Sequence, residues 1–123
     1  MNFEGAKKKL SSMPESFEDY PFGPDVAVFK IKGKMFATLS IIDKVARINL
    51  KCDPLEAFEL RDLFDAVIPG YHMNKKHWNT VILDGTIPQA EIERMIENSY
   101  VLVVKGLKKS LRQSLQIKYG TEC

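Results

Sequence analysis

Val45-Ala46-Arg47-Ile48-Asn49-Leu50-Lys51-Cys52-Asp53-Pro54-Leu55-Glu56 decides the fold class. Up to Cys52 the stretch alternates. Ala46, Ile48, Leu50 and Cys52 share one face; Val45, Arg47, Asn49 and Lys51 share the other. A period of two describes a strand of an antiparallel sheet with one buried and one wetter face. The remainder starts a helix. Asp53 suits the cap, Pro54 suits the first helical position, and Glu56 stands where a capping box places its acid.

Working outward, the same switching of period recurs. Upstream, Lys34 to Ile42 and Val26 to Lys32 read as two further strands, with turns at Asp43-Lys44 and Lys32-Gly33. Phe17 to Asp25 holds two prolines and a glycine and reads as a rigid, irregular approach to them. Met1 to Ser12 reads as a helix through Phe3, Ala6 and Leu10, halted by Pro14. Downstream, the helix from Asp53 runs to about Phe64 or Asp65. It exposes Glu56, Glu59 and Asp62 and buries Leu60, Leu63 and Phe64. Tyr71 to Leu83 reads as a hairpin with its tip near Asn74-Lys75, and Asp84-Gly85 as a turn. Pro88 opens a helix to Lys105 with an inner stripe of Ile92, Met95, Ile96, Ser99 and Val103, and Gly106 stops it. The order is α-β-β-β-α-β-β-α. Strands grouped in hairpins predict a two-layer α+β domain, an antiparallel sheet covered by helices, over residues 1–109. Residues 110–123 form a basic tail that continues as helix through Leu111 and Leu115 or frays.

Bulk properties bound the function. The chain has 123 residues and 18 Lys+Arg against 16 Asp+Glu, a net charge of +2. That excludes a polycationic binder but leaves room for a local basic patch. The acids concentrate in the helix after Asp53 and the bases in the hairpins, the third strand and the tail. No apolar run approaches the roughly 20 residues of a membrane helix, and the N-terminus has no signal-peptide pattern, so a cytoplasmic protein is expected. Cys52 and Cys123 form no CxxC; a buried thiol and a terminal one are expected.

Pro69 to Thr80 is the densest functional-looking stretch. It holds both histidines, His72 and His77, the sole tryptophan Trp78, Tyr71, the amides Asn74 and Asn79, and Lys75-Lys76. Lysines neutralise phosphate, aromatics stack on bases, and amides hydrogen-bond, so the stretch suits nucleic acid. Equally, it reads as a charged hairpin tip whose Tyr71 and Trp78 anchor it to the core. His72 and His77 lack a cysteine or nearby carboxylate to complete a metal site, and no metal or cofactor is expected. No glycine-rich phosphate loop or GxSxG is written here, so no catalytic residue is named. Lys30, Lys32 and Lys34 surround the first turn, Arg47 and Lys51 lie on the third strand, and Lys75-Lys76 mark the second hairpin. Hairpins projecting from one side would make two basic wings.

These residues resemble the YjbR/MmcQ-like family of small bacterial proteins. The resemblance is carried by Tyr20-Pro21-Phe22-Gly23-Pro24-Asp25, Gly33-Lys34-Met35-Phe36-Ala37 and Asn49-Leu50-Lys51-Cys52-Asp53-Pro54. It is carried furthest by Pro69 to Thr80, with Asp84-Gly85 and Ser99-Tyr100 completing it. It covers roughly Phe3 to Lys109 and implies helices on an antiparallel sheet, in a secretion-chaperone-like fold. It also implies a "double wing" DNA-binding protein. The family motif maps onto Tyr71, His72, Asn74, Lys75, Lys76, His77, Trp78 and Asn79. The expectation is weak, salt-sensitive DNA binding, with Lys32, Lys34, Lys51, Lys75 and Lys76 on phosphates and Tyr71, His77 and Trp78 shaping the site. The alternatives are a chaperone-like module for a protein partner and a small-ligand binder. The last needs a pocket where the Tyr71–Trp78 block meets Asp25 or Glu18.

Overall fold

Residues 1–70 and 73–119 are described by a computed structural model. Six antiparallel strands form one open sheet: β1 Phe17–Asp19, β2 Val26–Ile31, β3 Lys34–Ile42, β4 Val45–Lys51, β5 Val67–Pro69 and β6 Trp78–Ile82. Their spatial order is β1-β2-β3-β4-β6-β5. The helices are α1 Phe3–Ser12, α2 Pro54–Leu63, α3 Gln89–Lys105 and α4 Lys109–Tyr119. The expected α+β class holds, and the structure adds β1 and α4 to the expected order.

Register assigns the faces. Ala27 pairs with Leu39 and Leu39 with Ile48, which faces Val81 across β6. This row is buried beneath the helices, as the alternation through Ala46, Ile48, Leu50 and Cys52 predicts. The inner stripe of α3 lies on it, joined by Tyr100 and Val104. Ser99 is fully buried there. It donates to the Phe36 carbonyl at 2.6 Å and accepts from the Lys51 amide at 2.8 Å, so one hydroxyl ties α3 to both β3 and β4. Both tight turns place two successive residues at positive φ, Lys32-Gly33 and Asp43-Lys44, the mirror-image geometry that matches strand twist.

Four expectations are corrected. Phe17-Glu18-Asp19, expected irregular, is β1, because Asp19, Glu18 and Phe17 find ladder partners in Val28, Phe29 and Lys30. The second hairpin begins earlier than Tyr71: Val67–Pro69 pairs with Val81, Thr80 and Asn79. Tyr71 and His72 lie outside the described residues. The α2 capping box does not form. Asp53 accepts from the Leu55 amide, but the Glu56 carboxylate faces α3 and takes Arg94 at 2.9 Å. Leu63, expected to be packed, is exposed; Ala57 and Leu60 carry the buried stripe of α2. As far as Tyr119 the tail is helical and packs, with Leu115 buried in the common core.

Candidate nucleic-acid interface and open sheet face

Strand direction decides where the hairpins point. β4 ends at Lys51, which pairs with Trp78 at the start of β6. Antiparallel β3 begins at Lys34 beyond that same end. The Lys32-Gly33 turn therefore lies at the same end of the sheet as the end of β5 at Pro69 and the start of β6 at Trp78. The centres of the β2–β3 and β5–β6 pairs are three strand spacings apart, about 14 Å.

The lysines at that end are not equivalent. Lys32 pairs with Glu15 at 2.8 Å, and this hydrogen bond holds the Glu15 carboxyl below its ordinary value. Lys118 of α4 lies 3.7 Å from the same carboxylate. Lys30, beneath the turn, pairs with Asp19 at 2.8 Å and likewise lowers that carboxyl. Lys34, Lys51 and Lys76 have no ion pair among the described residues. Lys34 and Lys76 are exposed, while Lys51 is half-buried on the open face.

The second wing is built by backbone contacts. The Asn74 side chain accepts from the Lys76 amide at 2.9 Å, and its carbonyl accepts from His77 and Trp78. Asn74 thus shapes the turn. The His77 carbonyl accepts from Cys52 at 2.7 Å, fixing the wing to the start of α2. Gly70 donates to the Trp78 carbonyl, and a Cβ there would meet Trp78 Cβ at 3.2 Å, so glycine lets the two strands approach without displacing Trp78. Asn79 faces the helical layer, only 2% exposed, and donates to the Ala57 carbonyl. Its oxygen accepts from Arg61 Nε at 2.7 Å. Arg61 also donates to the carbonyls of Lys75 and Trp78. Sequence reasoning missed Arg61. The available signal is that it is the sole base within the acidic helix α2.

The opposite face of the sheet carries a second feature. Val28, Thr38, Asn49 and Thr80 form a row across four strands. Thr80 donates to Asn49, which donates to Thr38 at 2.9 Å. Over this row lies a cavity of about 450 Å³. Phe22, Met35, Ile42 and Met73 give it apolar walls, and Thr38, Ser40 and Asn49 a polar floor. Four segments singled out in the sequence meet here: the proline-rich loop through Phe22, the β3 start through Met35, the β4 end through Asn49, and the second wing through Met73. Pairing and loop return create that convergence, so linear spacing does not display it. Among the described residues no three His, Cys, Asp or Glu gather in a metal-binding arrangement, and no helix is long and apolar enough to cross a membrane.

A family model described as YjbR matches residues 11–102. The Escherichia coli O157:H7 protein YbdF is 42% identical over 106 residues, which is 86% of this chain and 87% of YbdF. YjbR of Escherichia coli K12 is 34% identical over 86 residues, 70% of this chain and 73% of the relative. Both are named as uncharacterized proteins. Among solved structures, a Deinococcus radiodurans protein with a DUF419 domain superimposes with a TM-score of 0.86 at 38% identity. It covers 93% of this chain and 87% of its own. A Pseudomonas syringae crystal structure gives 0.75 at 33% identity, over 83% and 98%.

Proposed function

The chain belongs to the YjbR family, and on that premise we propose that it is a weak, salt-sensitive DNA-binding protein. Lys34 and Lys76 are its outer phosphate contacts, with Lys75 and Lys51 between them. The observation that supports this is the shared end of the sheet where the Lys32-Gly33 turn and the β5 end and β6 start lie, about 14 Å apart. Lys32 contributes least, because Glu15 already neutralises it. Asn79 is a positioning residue for α2 and the second wing, and Trp78, half-buried opposite Lys51, shapes the surface between the wings.

Fluorescence anisotropy with a labelled duplex, titrated over salt, tests the reading. Four neutralised phosphates, one for each of these lysines, give a slope of log K against log salt of about −3.6. Lys34→Ala with Lys76→Ala should reduce the slope by about 2 and weaken binding uniformly across sequences. An unchanged slope in that double variant removes the proposal.

A second reading, a protein-interaction module, has its own support. Leu55, Phe58 and Leu63 of α2 are 69%, 68% and 70% exposed around Glu59 and Asp62. Apolar side chains that open on one helix suit a protein surface. Light scattering over a range of concentrations tests the self-associating form. If the mass rises in the parent chain and not in Phe58→Glu, α2 is the contact; a constant monomer mass removes that form.

A further inference from the structure

The cavity on the open face has the anatomy of a ligand site. Its volume of about 450 Å³ lies within the range of roughly 300–1,000 Å³ typical of small-molecule pockets. Apolar walls surround a floor of hydroxyls and one amide, the combination that holds an apolar body and fixes its polar end. Among the described residues, the charges left unpaired on the surrounding face have one sign. By register the side chains on this face include four charged ones, Asp19, Lys30, Arg47 and Lys51. Asp19 and Lys30 neutralise one another at 2.8 Å. Arg47 and Lys51 remain, and neither has an ion pair among the described residues.

Arg47 is the more telling of the two. It stands directly opposite Ser40, a floor residue, and two residues from Asn49. Its Nε is buried and has no hydrogen-bond partner among the described residues. A buried guanidinium donor without an acceptor is costly, and a carboxylate is the acceptor whose geometry matches it. We propose that the open sheet face binds a small amphipathic monocarboxylate, its apolar body between Phe22, Met35 and Met73 and its carboxylate at Arg47. This site adjoins the wing end through Met35 and Met73, but the proposal does not depend on DNA binding. Phosphate esters of a nucleic acid would leave the apolar walls unfilled, whereas a medium-chain fatty acid fills both halves.

Titration of the isotope-labelled full chain with octanoate, followed by amide chemical shifts, tests the site. Octanol and octylammonium serve as the neutral and cationic comparators. Saturable shifts at Thr38, Ser40 and Asn49 are expected. Octanoate should bind at least about tenfold more tightly than octanol, the usual weight of one charge-assisted hydrogen bond. Arg47→Met should abolish that preference. Ser40→Glu, which sets a fixed carboxylate opposite Arg47, should abolish octanoate binding independently. The proposal fails if octanoate and octanol bind alike. It fails equally if no shift saturates, or if the shifts concentrate on Leu55, Phe58 and Leu63 of α2.

Discussion

Arg61→Ala should loosen the second wing and cost the fold about 3 kcal/mol. Arg61 reaches from α2 to three acceptors: the Asn79 side chain at 2.7 Å, the Trp78 carbonyl at 3.4 Å and the Lys75 carbonyl. A hydrogen bond with a charged partner contributes about 1.5–3 kcal/mol, and a buried acceptor left alone is penalised further. The 3.4 Å contact adds little, so two effective bonds, partly replaced by water at the exposed end, give the figure. At about 2.1 cal/mol/K of unfolding entropy per residue, this lowers Tm by about 10 °C. Urea unfolding with a double-mutant cycle isolates the clamp. Arg61→Met with Asn79→Leu removes both partners, and should recover about 1–2 kcal/mol relative to the sum of the single losses. Hydrogen exchange should quicken at Lys75 and Lys76 in Arg61→Ala beyond the change in the α3 amides. A loss below about 1 kcal/mol, or single losses that simply add, would refute the clamp.

Three further outcomes follow from the packing and charges. Leu115→Ala should cost about 2–5 kcal/mol, because Leu115 is 1% exposed in the core, whereas Ile117→Ala, at 85% exposure, should change stability by less than about 0.5 kcal/mol; equal effects in urea melts would mean α4 does not pack. Lys32 lowers the Glu15 carboxyl beneath its ordinary 4.5, so the stability it contributes is present above about pH 4.5 and is lost as pH falls through the lower native value. Glu15→Gln should therefore flatten the decline in urea midpoint below pH 4.5, and an unaltered decline would count against the pair. Burial pushes the Cys52 thiol up to about 11. In a Cys123→Ser background, Ellman's reagent at pH 8 should find no reactive thiol in the native chain and one in guanidinium; rapid native reaction would contradict the burial.

Most of the sheet could be read directly because its signals are local. The alternation of β4, the glycine and Asp-Lys turns and the Asp53-Pro54 start each depend on neighbours in sequence, and each recurs in the structure. What escaped depended on distant partners. β1 is only Phe17–Asp19, too short to show a period, and becomes a strand through β2. Pro69 and Gly70 obscured Val67–Pro69 as the first arm of the second hairpin. Glu56 fits a capping box by spacing, yet Arg94, distant in sequence, takes its carboxylate. The site followed the same division. Lys34 and Lys76 could be named as exposed cations, but the ion pairs of Lys30 and Lys32 required knowing where Asp19 and Glu15 come to rest. Met35, Met73 and Phe22 looked like scattered apolar residues until register and the returning loops brought them around one cavity.

The sheet is open, yet its two margins are its shortest strands. β1 and β5 have three residues each, and β5 ends on Pro69, which has no amide hydrogen to offer. The long, apolar β2, β3 and β4 lie inside with a neighbour on each side, and β1 covers Val28, Phe29 and Lys30 of β2. An unpaired edge of such strands would be a template for intermolecular β-pairing, and brief margins are one of the ways proteins prevent it. β1 therefore protects solubility as well as closing a ladder. Cutting Phe17–Asp19 away would uncover the full length of β2 and expose the chain to edge-to-edge aggregation.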